Sequence, residues 1–366
     1  MKIQTGRNEL LSALQAVIGV VERRQTLPVL SNLLFDAQKD ELVVTGTDLE
    51  LELVSRATVK TQSTGKTTVP ARKLFDICRG LPEGADLTLE LSGDRVTLKS
   101  GRSRFTLATL RADEFPSLGA VSANRTLKLR KKDLRSLIEQ TQFAMANQDV
   151  RYYLNGLLLH VTAKRLRAVA TDGHRLAMSE LAHDSKLKDE IQIILPRKAV
   201  LELLRVLEPT DDAVELRLGD SHFQAELDVI RLTSKLIDGR FPDYERVIPE
   251  AGDKKLTANR ERVRQALVRT AILSNEKFRG VRLHLADNKL RLSTHNPEHE
   301  EAEEELEVNY SGGPLEIGFN VNYLLDALGV MQSEEFVMDL KSPDASGLLH
   351  ESGTTGNKYV VMPMRL

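Results

Sequence analysis

The sequence contains one cysteine, Cys78, and no tryptophan, and aromatic residues make up only 4% of its 366 positions. A lone cysteine excludes an intramolecular disulfide framework and fits a reducing compartment. No apolar run is long enough to span a bilayer, and no tract is compositionally simple. Met1-Lys2-Ile3-Gln4 leads straight into patterned sequence with no signal-peptide pattern, so a cytoplasmic protein without membrane contact is expected. Neither charge sign dominates: 51 Lys and Arg face 53 Asp and Glu, a net charge of −2. A nucleic-acid partner would therefore need a locally basic face, because the chain as a whole is not basic.

What the sequence does have is repetition. Leu166–Ala177 reads LRAVATDGHRLA, and Leu42–Leu53 reads LVVTGTDLELEL, with Thr-Asp following a similar apolar alternation. Leu290–Glu305 reads LRLSTHNPEHEEAEEE, where Thr294 falls in step and His295 replaces the aspartate. Asp48 and Asp172 stand 124 positions apart, and Thr171 and Thr294 stand 123 apart. A period near a third of the chain predicts three copies of one domain, over 1–125, 126–252 and 253–366. Within each copy, helix-plus-strands occurs twice. Six amphipathic helices with abundant alternating strand predict an α+β repeat architecture.

In the first copy Asn8 is a candidate cap for a helix carrying Leu10, Leu11, Leu14, Val17 and Ile18 on one stripe. A second helix opens after Val69-Pro70 and is broken by Pro82-Glu83-Gly84. In the middle copy the pattern predicts helices over 132–146 and after Leu195-Pro196. The third copy predicts them near 261–273 and over 321–330.

Four helix starts carry cations: Arg72-Lys73, Lys131-Lys132, Arg197-Lys198, and Arg260 with Arg262. The helix dipole disfavours a cation there by roughly 0.3–1 kcal/mol. Four recurrences suggest a shared anionic partner, and phosphate suits helix N-termini; a solvated polar face is the plainer reading. With no motif for reading bases, the expected contact is the phosphate backbone, sensitive to salt. Arg151-Tyr152-Tyr153, after Gln148, is either a second basic-aromatic contact or an ordinary strand start.

Charge also segregates along the chain. Residues 297–307 hold seven glutamates, while Lys99, Arg102 and Arg104 lie near the end of the first copy. Like charges on one strand repel unless a partner of opposite sign faces them. The first and third copies are separated in the chain but can meet across a head-to-tail dimer, which closes into a ring. The alternative is a solvated acidic strand. His295 and His299 flank a turn-forming Asn-Pro and lack further ligands, so no metal is expected. Asp172 and His174 lack an accompanying nucleophile or second carboxylate, so no catalysis and no cofactor are expected. The apolar end Val360–Met364 suits either a plain core strand or an adaptable groove for partner side chains.

The segments GTDLELEL, VPARKLFDICRGLPEG, QDVRYYLNG, ATDGHRLA, DGRFPDYERVIP, AILSNEKFRGVRL, NPEHEEAEEE and YVVMPMRL together resemble the bacterial beta sliding clamp family, over essentially the whole chain. The resemblance implies a head-to-tail homodimeric ring of six domains around duplex DNA, sliding without sequence specificity and tethering the replicative polymerase. By matching position it implies DNA contacts at Arg24, Arg72, Gln148, Tyr152, Tyr153 and Lys198. It implies a partner-peptide groove of Leu154, Thr171, Gly173, His174, Arg175, Leu176, Pro242, Arg246, Val247, Asn320, Tyr323, Val360, Val361, Met362, Pro363 and Met364. Its implied occupants are short linear motifs of the polymerase catalytic subunit, the clamp loader, and other polymerases and repair proteins. At the joint it implies Ile272 and Leu273, with Lys73, Arg102 and Arg104 opposing Glu298, Glu300, Glu301 and Glu304. The third copy departs from the pattern at His295-Asn296-Pro297, and Arg23 and Gln25 make the first-copy loop this chain's own variant. Two other classes fit parts of the sequence: a monomeric peptide-binding scaffold, and an enzyme built on Asp172 and His174.

Overall fold

The computed structural model describes residues 1–22, 27–119, 125–185, 189–353 and 356–365, so Arg23, Arg24 and Gln25 lie outside the described residues. Six α-helices occur among the described residues: α1 (Arg7–Val17), α2 (Ala71–Gly80), α3 (Lys131–Glu139), α4 (Arg197–Val206), α5 (Arg260–Ala271) and α6 (Val321–Val330). Each strand pairing is antiparallel, and strands alternate buried and exposed positions, as in Leu42, Val44 and Gly46 of Glu41–Thr47. The helices bury one stripe each: Leu10, Leu11, Leu14 and Val17 on α1, and Val321, Leu324 and Leu328 on α6. Each such leucine contributes roughly 1.5–3 kcal/mol by leaving water.

The chain forms two compact units, and the middle copy is divided between them. One unit comprises Met1–Leu134 with Lys198–Leu236. It holds a five-stranded sheet ending in Ser103–Ala108 and an eight-stranded sheet in which Leu51–Thr58 pairs with Ile230–Lys235. The other comprises Arg135–Arg197 with Ile237–Leu366. Its nine-stranded sheet joins Arg175–Ala182 to Asn357–Val361, and its four-stranded sheet ends in Glu301–Glu307. Each large sheet thus spans two copies of the repeat. The third inner strand of one copy pairs with the last strand of the next.

The expected helices are present, with two local corrections. Gly6 occupies the cap position of α1 and Asn8 lies inside its first turn, accepting from Arg7 Nη1 at 3.0 Å. The helix expected over 132–146 stops at Glu139 and resumes as a 3-10 turn, Gln142–Ala144. Thr141 Oγ1 donates back to Leu137 O at 2.7 Å, and Gln140 donates to Val330 O at the end of α6. The local back-bond of Thr141 and the distant bond of Gln140 together outweigh helical continuation.

Several of the cations at helix starts have partners inside the chain. Arg7, the first residue of α1, donates to Cys78 O and Arg79 O at the end of α2. Arg260, first in α5, donates to Leu328 O near the end of α6 and to Ser333 O. Lys131, first in α3, pairs with Asp228 and lies 3.7 Å from Asp212. A cation that disfavours its own helix by a few tenths of a kcal/mol stabilises the carboxyl end of its neighbour. Phosphate is therefore not needed to explain these cations. Lys73 and Arg262 make no ion pair among the described residues, and Arg72 and Arg197 bond only backbone carbonyls, Val21 O and Met145 O.

Candidate functional site

The Thr-Asp repeat builds a turn. Thr47 Oγ1 donates to Leu51 O and accepts from Leu49 N, while Asp48 Oδ1 accepts from Glu50 N and Leu51 N. In the middle copy Thr171 Oγ1 donates to Arg175 O and accepts from Gly173 N, and Asp172 Oδ1 accepts from His174 N and Arg175 N. These are turns in which short side chains replace backbone partners. In the third copy Thr294 Oγ1 turns instead to Thr270 O, and Asn296 Oδ1 receives Glu300 N in a longer turn. Leu49 has φ +78° and Gly173 φ +89°, so the left-handed position tolerates a side chain. What glycine admits at 173 is a neighbour: a Cβ there would stand 2.8 Å from Arg151 Nη1.

Around the middle-copy turn lies a cavity of about 230 Å³. Ten of the residues expected for a partner groove line it together: Leu154, Thr171, Gly173, His174, Arg175, Leu176, Pro242, Val247, Val360 and Met362. Arg151, Tyr153 and Tyr244 line it as well. Tyr153 thus faces the groove, and Tyr152–Leu154 is a 3-10 turn where a strand start had been one reading. Tyr244 lies within DGRFPDYERVIP, one of the segments that carry the resemblance. Beneath the cavity pack Leu158, Val169, Leu176, Met178, Ile194, Phe241 and Val360. An apolar pocket with a few polar groups at its rim suits inserted apolar side chains.

The other expected groove residues do not line this cavity and take different roles. Val361 is buried, paired in the sheet with Arg175 and Gly347, so strand alternation turns it from the groove. Asn320 caps α6 through Asn322 N, and Arg246 reaches out to Asp243. Tyr323 lies under the Arg175 guanidinium. Met364 donates its N–H to Gly318 O and lines a separate cavity of about 650 Å³ with Phe278 and Arg365. Pro363 lies in the irregular stretch between Val361 and Met364.

Among the expected DNA contacts, Gln148 takes φ +58° and Tyr152 is 58% exposed in a loop pinned by Arg151, which bonds Asp149 at 2.9–3.0 Å. The Arg151 guanidinium and backbone N–H hold the Asp149 carboxyl down at about 2. Lys198 is differently placed. Its ammonium reaches Asp48 at 2.5 Å, Glu22 at 2.8 Å and Val20 O at 3.2 Å. Burial opposes its charge, but the two carboxylates outweigh that and raise its pKa. Among the described residues no group of three or more His, Cys, Asp or Glu side chains is placed to hold a metal.

Comparison with known proteins identifies the arrangement. Models of the DNA polymerase III beta subunit match in sequence: the N-terminal domain over residues 1–119, the central domain over 128–243 and the C-terminal domain over 245–365. The chain belongs to the beta sliding clamp family. It is 52% identical over 361 residues to the beta sliding clamp of Pseudomonas putida, covering 98% of each chain. It is 48% identical over 367 residues to that of Escherichia coli, covering 100% of each. A solved Pseudomonas aeruginosa sliding clamp bound to griselimycin superposes with a TM-score of 0.97 at 51% identity, over 100% of both chains. The three-copy α+β architecture read from the period is the family's.

The residues expected at a dimer joint fall into two groups. Ile272 is 74% exposed after α5 and shares a cavity of about 410 Å³ with Glu298 and Glu300; Leu273 follows it, half-buried. Along Glu301–Glu307, Glu301, Glu303, Glu305 and Glu307 point outward. Glu304 faces the other side, held by Arg269 at 2.5 and 2.6 Å. Lys289 and Arg291 offset Glu305 and Glu303 from the neighbouring strand. On the first copy, Lys73, Arg102 and Arg104 are exposed, with Arg104 on an edge strand beside Lys99.

Proposed function

We propose that this chain works as a sliding clamp: two copies joined head to tail encircle duplex DNA without reading its sequence and tether the replicative polymerase. The strand pairing between copies carries this reading. Leu51–Thr58 of the first copy pairs with Ile230–Lys235 of the second, and Arg175–Ala182 of the second pairs with Asn357–Val361 of the third. By the same rule Glu301–Glu307 of the third copy seeks the counterpart strand of a following copy, which is Ser103–Ala108 of another chain. Both are sheet edges. One carries outward glutamates and the other Arg104, so pairing them satisfies open backbone groups and opposite charges together.

Arg24, Arg72, Gln148, Tyr152, Tyr153 and Lys198 are the proposed DNA contacts, weak individually and salt-sensitive together. Lys198 contributes least, because Asp48 and Glu22 already neutralise it. The groove takes short apolar motifs of the polymerase, clamp loader and repair proteins, raising their effective concentration at the template. No reaction and no cofactor belong to this function, and a cytoplasmic location suits it; no helix among the described residues is long and apolar enough to cross a membrane. The proposed domains are 1–125, 126–252 and 253–366. Sedimentation equilibrium tests the joint. The wild-type chain sediments at twice the chain mass and Ile272→Arg at the chain mass; a wild-type monomer at micromolar concentration would favour the peptide-binding scaffold.

A further inference from the structure

A second cavity, of about 490 Å³, lies beside the groove and shares Pro242 and Tyr244 with it. The groove side is apolar; the other side presents His160, Arg165, Arg167 and Glu190. Tyr244, 4% exposed, is therefore a partition between two unlike environments. Its hydroxyl oxygen accepts from Arg167 Nη1 at 2.9 Å and lies 2.6 Å from His160 Nδ1.

The donor inventory decides which neighbour is able to accept. A guanidinium only donates, so of these two neighbours only His160 can accept from the tyrosine hydroxyl. In the tautomer protonated on Nε2, Nδ1 is that acceptor; Nε2 lies 2.7 Å from Glu190 Oε1, off the axis of a well-aligned bond. Arg167 is itself fixed by Glu180 at 2.5 Å and Glu245 at 2.6 Å. Burial raises the Tyr244 pKa, with Arg167 opposing, so the phenol keeps its proton and needs an acceptor.

We infer that His160 is a positioning residue for the partner groove, holding the Tyr244 ring in the groove wall by accepting a hydrogen bond from its hydroxyl. His160 lines only the polar cavity, so it acts on a groove ligand through Tyr244. Without that acceptor the buried hydroxyl must find another partner, and the ring turns with it. This inference rests on the groove being the partner site.

The test is calorimetric titration of the full-length chain with griselimycin, the ligand carried by a solved relative, with thermal unfolding of each variant recorded alongside. Met362→Arg checks the groove itself and should abolish binding; if griselimycin fails to bind the wild-type chain, or binds Met362→Arg as tightly as the wild type, the groove reading and the inference both fall. Given groove binding, His160→Phe weakens affinity by roughly fivefold through the orphaned hydroxyl. His160→Asn, whose Oδ1 replaces Nδ1 as acceptor, restores it. In a Tyr244→Phe background His160→Phe has no further effect, because the hydroxyl it served is gone. An unchanged affinity for His160→Phe, or the same loss in both backgrounds, overturns the positioning role while leaving the groove in place.

Discussion

The Arg175 guanidinium lies 4.5 Å from the centroid of the Tyr323 ring. Its Nη1 stands 2.5 Å from Asp326 Oδ2 on the same helix, α6, and its Nη2 donates to Phe143 O. One side chain therefore joins the middle-copy turn to a helix of the third copy. A stacked, multiply bonded guanidinium cannot be replaced by an ammonium. Arg175→Lys should lower stability by about 2 kcal/mol in urea unfolding, through lost charge-assisted bonds at a mostly buried site. Wild-type stability for Arg175→Lys would contradict this placement.

The paired turns give a contrast. Asp172→Ala and Asp48→Ala each remove an acceptor of two backbone N–H groups and should each destabilise the chain by about 1–3 kcal/mol. Only the Asp172 turn borders the groove, so only Asp172→Ala should also weaken griselimycin binding. Equal binding losses from both variants would mean that the effect travels through global stability.

Cys78 is buried in α2, and burial pushes its thiol up to about 12, with Arg7 opposing. A protonated, enclosed thiol is a poor nucleophile. Ellman's reagent at pH 8 should leave the folded chain unmodified and react with one thiol after denaturation. Fast labelling of the native chain would show that α2 opens readily.

The loop holding Gln148 and Tyr152 should keep its geometry well into acid. Hydrogen bonds from the Arg151 side chain and backbone hold Asp149 at about 2, below the roughly 3.9 of an unfolded chain. The pair's stabilisation is therefore complete above about pH 4 and is lost as pH falls through about 2. A carboxyl-carbon NMR titration should place the Asp149 midpoint near 2 and return it toward the ordinary value in Arg151→Ala. A midpoint near 4 in the wild type would mean that the loop is not pinned in solution.

Local features were legible in the sequence and tertiary ones were not. The 124-residue period, the strand alternation and α6 at Val321–Val330 follow from side-chain spacing, which neighbours in the chain determine. The partner of Arg260 lies 68 positions away, so this cation reads as free when it serves a neighbouring helix. The stop of α3 at Glu139 depends on Gln140 reaching Val330, again a distant partner. Ten of the cavity's lining residues are among those expected by resemblance, whereas Tyr244 and Arg151 required the fold, because their place comes from which cavities they border. Glu304 sat within an acidic run and gave no sign of its inward turn toward Arg269.

The central claim is topological, and retention on DNA tests it most directly. The chain is loaded onto circular or linear duplex DNA and then washed at rising salt. A closed ring stays on the circle at salt that screens phosphate contacts and slides off the linear ends. Loss from both at the same salt would mean ordinary electrostatic binding and would contradict encirclement.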